Sequence, residues 1–428
     1  MIVMKFGGSC LDRPSDIRQL VEIVKAAQAN QPKLVLSAFR GVTDELIKQA
    51  MSARNRSYDL DGVERKHRSI LTGLPSDVKA KTENHIERLL SDLHRILDDV
   101  SAKGEVTAVT LDQIVSYGER FAIQTVSGYL TAEHLDNAPL SDIDAGLTTD
   151  SRFGDATLLE ESYQLVQSKL KKTELPVIAG FFGKDKMGRI ATLGRGGTDY
   201  VATFIASALH CDCVLFKDVE GVMSADPKIV ANPKLLAELD YSTAMELAHY
   251  GSKVIFEKAI TPAMKDRTAI RITSFLTDGN GTVIKATAAK ATAISLLKNV
   301  TILSLPSRDF HIALPLKHEL EKTHADDLLM TNDTDRETMI AILDAKVDSV
   351  TSIARKSIGD KVSTMTGRAL IAMTGTSIHP VAAQSILSRE GIGVDMISPS
   401  SSGRSVCLTL SATSAEDAVR ILHRNLVA

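Results

Sequence analysis

Tryptophan is absent from the 428 residues, aromatic side chains make up only 4%, and cysteine occurs four times. Cys10, Cys211, Cys213 and Cys407 offer no spacing that builds a disulfide framework. His210, Cys211 and Cys213 lie at the mouth of an apolar strand, where a one-residue gap between thiols reads as burial rather than as zinc ligation. An excess of one charge is also lacking: 50 basic against 53 acidic residues leave −3, which removes the footprint expected for nucleic acid or an anionic membrane. No run of about 18 apolar residues occurs, and the opening MIVMKFGGS has neither the basic nor the apolar stretch of a secretory signal. These absences predict a cytoplasmic protein with no nucleic-acid or membrane partner. Two phosphate-binding signatures are missing too, GxxxxGK[ST] and GxGxxG, so neither the Walker loop nor the dinucleotide fingerprint applies.

What remains is an ordinary globular composition, 44% hydrophobic and 24% charged, with a length prior of about three domains. Ile2–Phe6 reads as a strand that runs into a glycine loop, followed by a helix with Ile17, Leu20, Val21 and Val24 at helical spacing and a second strand, KLVLS, at 33–37. This βαβ opening predicts an α/β protein, a three-layer α/β/α sandwich around a mostly parallel sheet. Residues 60–100 carry the periodicity of a charged surface helical hairpin, and FFGKDKMGRIATLG reads as a β-hairpin turning near 186–188. From about residue 298 the elements shorten and alternate more, which suits α+β sandwiches. The expected division is 1–297 and 298–428.

Two loops carry the chemistry. KFGGSC at 5–10 and GRGGTD at 194–199 each set glycines and a Ser or Thr between a strand and a helix, where backbone N–H groups gather around phosphate oxygens. Two such loops suggest that a nucleotide is held from two sides, by Gly7, Gly8 and Ser9 and by Gly196 and Gly197. Lys5, Arg195 and Asp199 add cations and a carboxylate beside it. Taken alone, KFGGSC serves equally as a strand-to-helix turn, whereas three glycines interleaved with Arg, Thr and Asp exceed what a turn needs. Transfer of a phosphoryl group to a carboxylate needs no general base. It needs fixed cations, because like charges at 4 Å repel by about 1 kcal/mol in water and about 4 kcal/mol at an effective dielectric of 20.

Six motifs in order then resemble the aspartate kinases of the amino-acid kinase family. KFGGSC is similar to KFGGSS, SAFRGVTDEL at 37–46 to SAMGGVTDEL, and YGER at 117–120 to that family's GER helix start. GRGGTDY is similar to GRGGSDY, KDVEGVMSADPK at 217–228 to TDVDGVYTADPR, and GSK at 251–253 to GAK or GSK. The resemblance spans residues 1–285. It implies that Lys5 stabilises the transferring phosphoryl group, that Asp199 organises lysines around it, that Glu119 receives the substrate α-ammonium and that Arg195 forks onto its α-carboxylate. Ser37 and Thr43 would line the substrate side, although spacing alone reads them equally as strand-end and helix-cap hydroxyls. Lys217, Asp218, Met223, Asp226, Lys228 and Lys253 would face the nucleotide; alone, Lys253 also reads as a solvated helix-end charge.

The implied activity is an ATP-dependent, Mg²⁺-assisted phosphorylation of L-aspartate on its β-carboxylate, with another amino-acid kinase activity or a decayed sensor as alternatives. Departures from the family pattern are Lys217 for Thr or Ser, Met223 for Tyr, Lys228 for Arg, and the residues Cys10 and Arg40. Residues 368–410 resemble an ACT unit, and 306–365 a divergent first one. That pairing implies an amino-acid effector, lysine or threonine, and a homodimer or larger homo-oligomer.

Overall fold

The computed structural model describes residues 1–252, 254–277, 279–287, 291–306, 328–333, 337–375, 379–400 and 402–427. The chain forms two compact units, one of residues 1–221 with 255–286 and one of residues 222–254 with 287–428. The single cut expected near residue 298 is therefore replaced by three crossings, and the stretch 222–254 folds with the C-terminal residues.

In the first unit, β1 (Ile2–Phe6), β2 (Pro32–Leu36), β4 (Pro176–Ala179), β3 (Ala138–Leu140), β7 (Asp212–Lys217) and β9 (Ile270–Ser274) build a parallel sheet in the order β3-β4-β2-β1-β7-β9, continued by β10 (Thr282–Ile284) running antiparallel. β1, β2 and β4 are short, apolar and buried on both faces, as strands covered by helices must be. Helix α1 (Pro14–Ala26) turns Ile17, Leu20, Val21 and Val24 inward, matching their spacing. The charged stretch predicted as a helical hairpin is α3 (Asp61–Leu71) and α4 (Ser76–Lys103). The predicted β-hairpin is β5 (Phe182–Lys184) with β6 (Ile190–Thr192).

Every residue of α9 (Gly197–Leu209) is buried. A helix apolar all round, such as GTDYVATFIASAL, is stable only where it is covered on all sides. Its one acidic side chain, Asp199, therefore enters the interior and must find cations there. In-register strand ends determine where: Lys5 pairs with Val35 on one side and Leu215 on the other, and Phe6 stacks on Phe216 with ring centroids 4.7 Å apart.

The second unit, taken by itself, begins with β8 (Glu238–Leu239) and α10 (Tyr241–His249), after which a six-stranded antiparallel sheet dominates. Its order is β12 (Leu328–Asp333), β13 (Glu337–Leu343), β11 (Ala293–Pro306), β14 (Ser363–Thr374), β16 (Ser405–Ser411) and β15 (Met396–Pro399). The α+β architecture expected here takes the form of one sheet with helices, in which β11 and β14 are long enough to serve both halves. Helices α12 (Val347–Ile358), α13 (Pro380–Arg389) and α14 (Ala415–Leu426) belong to this unit.

Candidate active site

Lys5 and Lys217 reach the same spot for a geometric reason. Residues in register on neighbouring parallel strands share a face, and Lys217 lies two positions beyond Leu215, the partner of Lys5. Both ammoniums therefore point to the face where α9 presents Asp199 in its first turn. Lys5 Nζ lies 2.6 Å from Asp199 Oδ1 as an ion pair, and Lys217 Nζ donates a 2.6 Å hydrogen bond to Oδ2.

Burial by itself would raise the Asp199 carboxyl, but the ammoniums of Lys217 and then Lys5 outweigh it and hold the group at about 2. Lys217 is itself lowered, first by burial and also by repulsion from Lys5, with Asp199 opposing. That direction reflects its own desolvation rather than weakness of the pair. One carboxylate thus serves two cations, and among the described residues no second carboxylate forms an ion pair with either. The cluster holds a surplus positive charge in an interior setting.

Glu119 arrives from the first turn of α6 (Tyr117–Ala132). Gly118 permits this: a Cβ there would lie 2.7 Å from the Ala38 side chain, so only glycine lets α6 settle against the end of β2. Ala38 N then donates to Glu119 Oε1 at 3.0 Å, while Oε2 is buried with no hydrogen-bond partner among the described residues. Burial pushes Glu119 up to about 8, against the N–H of Ala38, its own backbone N–H and the charge of Lys5. An orphaned carboxylate oxygen at this depth invites a cationic partner.

A cavity of about 460 Å³ lies beside these groups, lined by Gly8, Ser9, Ser37–Gly41, Thr43, Asp44 and Asp218. The first glycine loop lies against the segment after β2 so closely that a Cβ on Gly8 would be 2.9 Å from Ala38 O, and one on Gly7 would be 3.2 Å from Lys5 Nζ. Ser37 and Thr43, expected on the substrate side, both line this cavity. The departures at positions 10 and 40 also gain a physical role: the Cys10 thiol donates to Phe216 O at 3.4 Å, and Arg40 Nη2 donates to Ser9 O at 3.4 Å. Both brace the first loop.

The second loop is braced from behind. Gly196 has φ of +74° and caps α9, and a Cβ there would fall 2.4 Å from the Phe256 ring. Lys258 Nζ donates to Asp155 Oδ1 at 2.8 Å, Ala156 O at 2.7 Å and Leu193 O at 3.2 Å, fixing the approach to the loop. Arg195 is exposed and makes no hydrogen bond or ion pair with a described residue.

The predicted residues thus separate. Lys5, Asp199 and Glu119 are linked by contact or charge, Ser9, Ser37, Thr43 and Asp218 share the cavity, and Arg195 stands free at the loop tip. Lys217, expected on the nucleotide, donates from its Nζ to Asp199. Met223, Asp226 and Lys228 belong to the second unit, and Lys253 lies outside the described residues. Sequence reasoning missed Arg40 and Asp44 on the cavity wall and Lys258 behind the loop. Only the first had a visible signal, its departure from the family pattern.

Comparison with known proteins agrees with this geometry. The sequence model described as the amino acid kinase family matches residues 1–274, and one described as an ACT domain matches 373–426. The chain is 26% identical over 457 residues to Aspartokinase 1, chloroplastic, of Arabidopsis thaliana, covering 99% of this chain and 79% of that one. It is 27% identical over 456 residues to Lysine-sensitive aspartokinase 3 of Escherichia coli, covering 100% and 99%. The crystal structure of E. coli aspartokinase III in complex with aspartate and ADP superposes with a TM-score of 0.85 at 24% identity, with both chains fully covered. A family match over most of the chain, the glycine loops at parallel strand ends and the buried lysine–aspartate–lysine cluster converge: the chain belongs to the amino acid kinase family and carries an ACT domain near its C-terminus.

Proposed function

We propose that the chain is an ATP-dependent aspartate kinase, which transfers the γ-phosphoryl group to the β-carboxylate of L-aspartate and yields 4-phospho-L-aspartate and ADP. The observation that carries this reading is the cluster of Lys5, Asp199 and Lys217 close to Glu119, whose second oxygen has no partner. The nucleophilic carboxylate is already an anion at neutral pH, so the chain's task is to bring it to a polyanion. Surplus positive charge at the ends of β1 and β7 offsets the repulsion, and Asp199 keeps the two ammoniums from drifting apart. Glu119 takes the substrate ammonium, and Arg195, free at the loop tip, closes as a fork onto the α-carboxylate.

Mg²⁺, carried on the nucleotide, would neutralise charge between its β- and γ-phosphates. Asp218 and Asp44 are the carboxylates on the cavity wall with the oxygen chemistry to meet it. On this reading the reaction opens the route toward lysine, threonine and methionine, and an amino acid, lysine first and threonine second, acts as effector at the C-terminal sheet. A homodimer or larger homo-oligomer in the cytoplasm completes the proposal; among the described residues no helix is long and apolar enough to cross a membrane.

The deciding experiment measures ADP formation from ATP with aspartate, glutamate, N-acetylglutamate or no acceptor. ADP formation dependent on aspartate supports the reading. Turnover with another acceptor only, or with none, overturns it.

A further inference from the structure

Arg40 sits where the segment after β2 meets the first glycine loop. The preceding residue, Phe39, is buried against His67 with ring centroids 5.1 Å apart, whereas Arg40 is exposed and lines the cavity. The backbone there is fixed on both sides. Arg40 N donates to Leu11 O at 3.3 Å, Val42 N donates to Phe39 O at 3.0 Å, and Gly41, with φ of +80°, turns the chain into α2 (Val42–Arg54). The base of this side chain is therefore held in one place.

The two glycines of the first loop lie between Arg40 and Lys5. A Cβ on Gly7 would be 3.2 Å from Lys5 Nζ, and one on Gly8 would be 3.7 Å from Arg40 N. A ligand resting on the Gly7–Gly8 backbone thus has an ammonium at one end and an arginine at the other. That guanidinium is under-used: of its five N–H donors, one reaches Ser9 O, at the long distance of 3.4 Å. Asp44 and Asp218 line the same cavity, and Asp12, within electrostatic reach, pairs with Lys66 instead. Among the described residues Arg40 forms an ion pair with none of the three. A cation left unpaired beside three carboxylates remains available to an incoming anion.

We propose that Arg40 is a further phosphate-contacting residue of the reaction: its guanidinium closes from the cavity wall onto the γ-phosphoryl group that Lys5 meets from the end of β1, adding a third cation to Lys5 and Lys217. The proposal rests on the phosphoryl-transfer reading of this cavity. In the transition state charge spreads over the equatorial oxygens of the transferring group, and a planar fork can take two of them while the lysine takes another. Position 40 is one of the departures from the family pattern, so the shared motifs do not supply this cation.

The test uses the full-length protein and compares ADP with β,γ-imido-ATP by calorimetry in the presence of Mg²⁺, for the wild type, Arg40→Ala, Arg40→Gln and Arg40→Lys, with kcat measured alongside. ADP lacks the group in question. Glutamine keeps an N–H donor for Ser9 O without the charge, and lysine keeps the charge without the fork. The expected result is a Kd for the imido analogue weakened about tenfold in Arg40→Ala and Arg40→Gln and less in Arg40→Lys, with the ADP Kd within about twofold of wild type throughout and kcat falling in the same order. An analogue-to-ADP Kd ratio equal to wild type in Arg40→Ala overturns the proposal, even if Tm falls, because a residue that only braces the loop would move both ligands together. A wild-type ratio in Arg40→Gln overturns it as well, since the amide restores the bracing bond alone. Should Arg40→Ala fail to fold, Arg40→Gln decides by the same criterion. Wild-type turnover with aspartate is read separately: its absence defeats the aspartate-kinase reading, whereas the analogue-to-ADP ratio still judges Arg40.

Discussion

Glu119 offers the most quantitative test of the site. Its carboxyl, pushed up to about 8 by burial, is mostly protonated in the free protein at neutral pH, yet the role assigned to it needs the anion. With that value about one molecule in a hundred is ionised at pH 6 and about one in eleven at pH 7, so the apparent affinity for an ammonium ligand scales with that fraction. Aspartate binding should tighten about tenfold from pH 6 to pH 7, about fivefold more to pH 8, and level off above that. Because the ammonium draws the proton off, about 0.9 proton should be released per aspartate bound at pH 7.

The sign for stability runs the other way. An acid whose folded pKa is raised lowers stability as pH climbs from its unfolded value of 4.5 to about 8, and has no further effect above. Calorimetry in buffers of different ionisation enthalpy reads the proton count directly, and KM for aspartate against pH gives the slope. Glu119→Gln should abolish both the slope and the proton release and weaken aspartate by about 2 kcal/mol or more, the usual cost of leaving a buried charge unpaired. Aspartate affinity that stays flat from pH 6 to pH 8, with no proton released, would refute the pairing of this carboxyl with the substrate amine.

Three further outcomes follow from the geometry. Lys5→Ala should lower kcat by at least about two orders of magnitude, with circular dichroism and melting near wild type; near-normal turnover rejects the role given to the β1 lysine. Arg195→Lys should raise KM for aspartate while leaving kcat within a few-fold, since the ammonium keeps the charge but loses the fork, and an unchanged substrate dependence counts against it. Gly196→Ala combines a φ of +74° with a Cβ 2.4 Å from the Phe256 ring, so a loss of at least about 1 kcal/mol in denaturant unfolding is expected; equal stability would mean the loop relaxes freely.

Much of the catalytic unit was legible because its signals are local. Apolar strands of five residues such as PKLVL, the helical spacing of Ile17 to Val24 and the turn at 186–188 each follow from short-range rules, and the structure has all three. Glycines before α9 marked a strand-to-helix loop for the same reason. The position of Lys217 was hidden, since it depends on strand order: only once β7 lies beside β1 in that register does a lysine two residues past Leu215 meet Asp199. Glu119 could be named from its motif, yet its unsatisfied oxygen depends on Gly118 and Ala38 being in contact. The grouping of 222–254 with the C-terminal residues was not legible, because this stretch has the composition of a continuing α/β domain while its packing partners lie almost 200 residues later, as in the 199-residue span from Ser224 to His423.

The backbone passes from one compact unit to the other at 221/222, 254/255 and 286/287. Neither unit can be released by one proteolytic nick or one stop codon, because excision of either would take three cuts. A gene fragment ending at residue 297 would express the stretch from Val222 to Val254 stripped of β14, β16 and α14, leaving Ala225 without most of the apolar side chains that bury it. Such a fragment should be prone to aggregate.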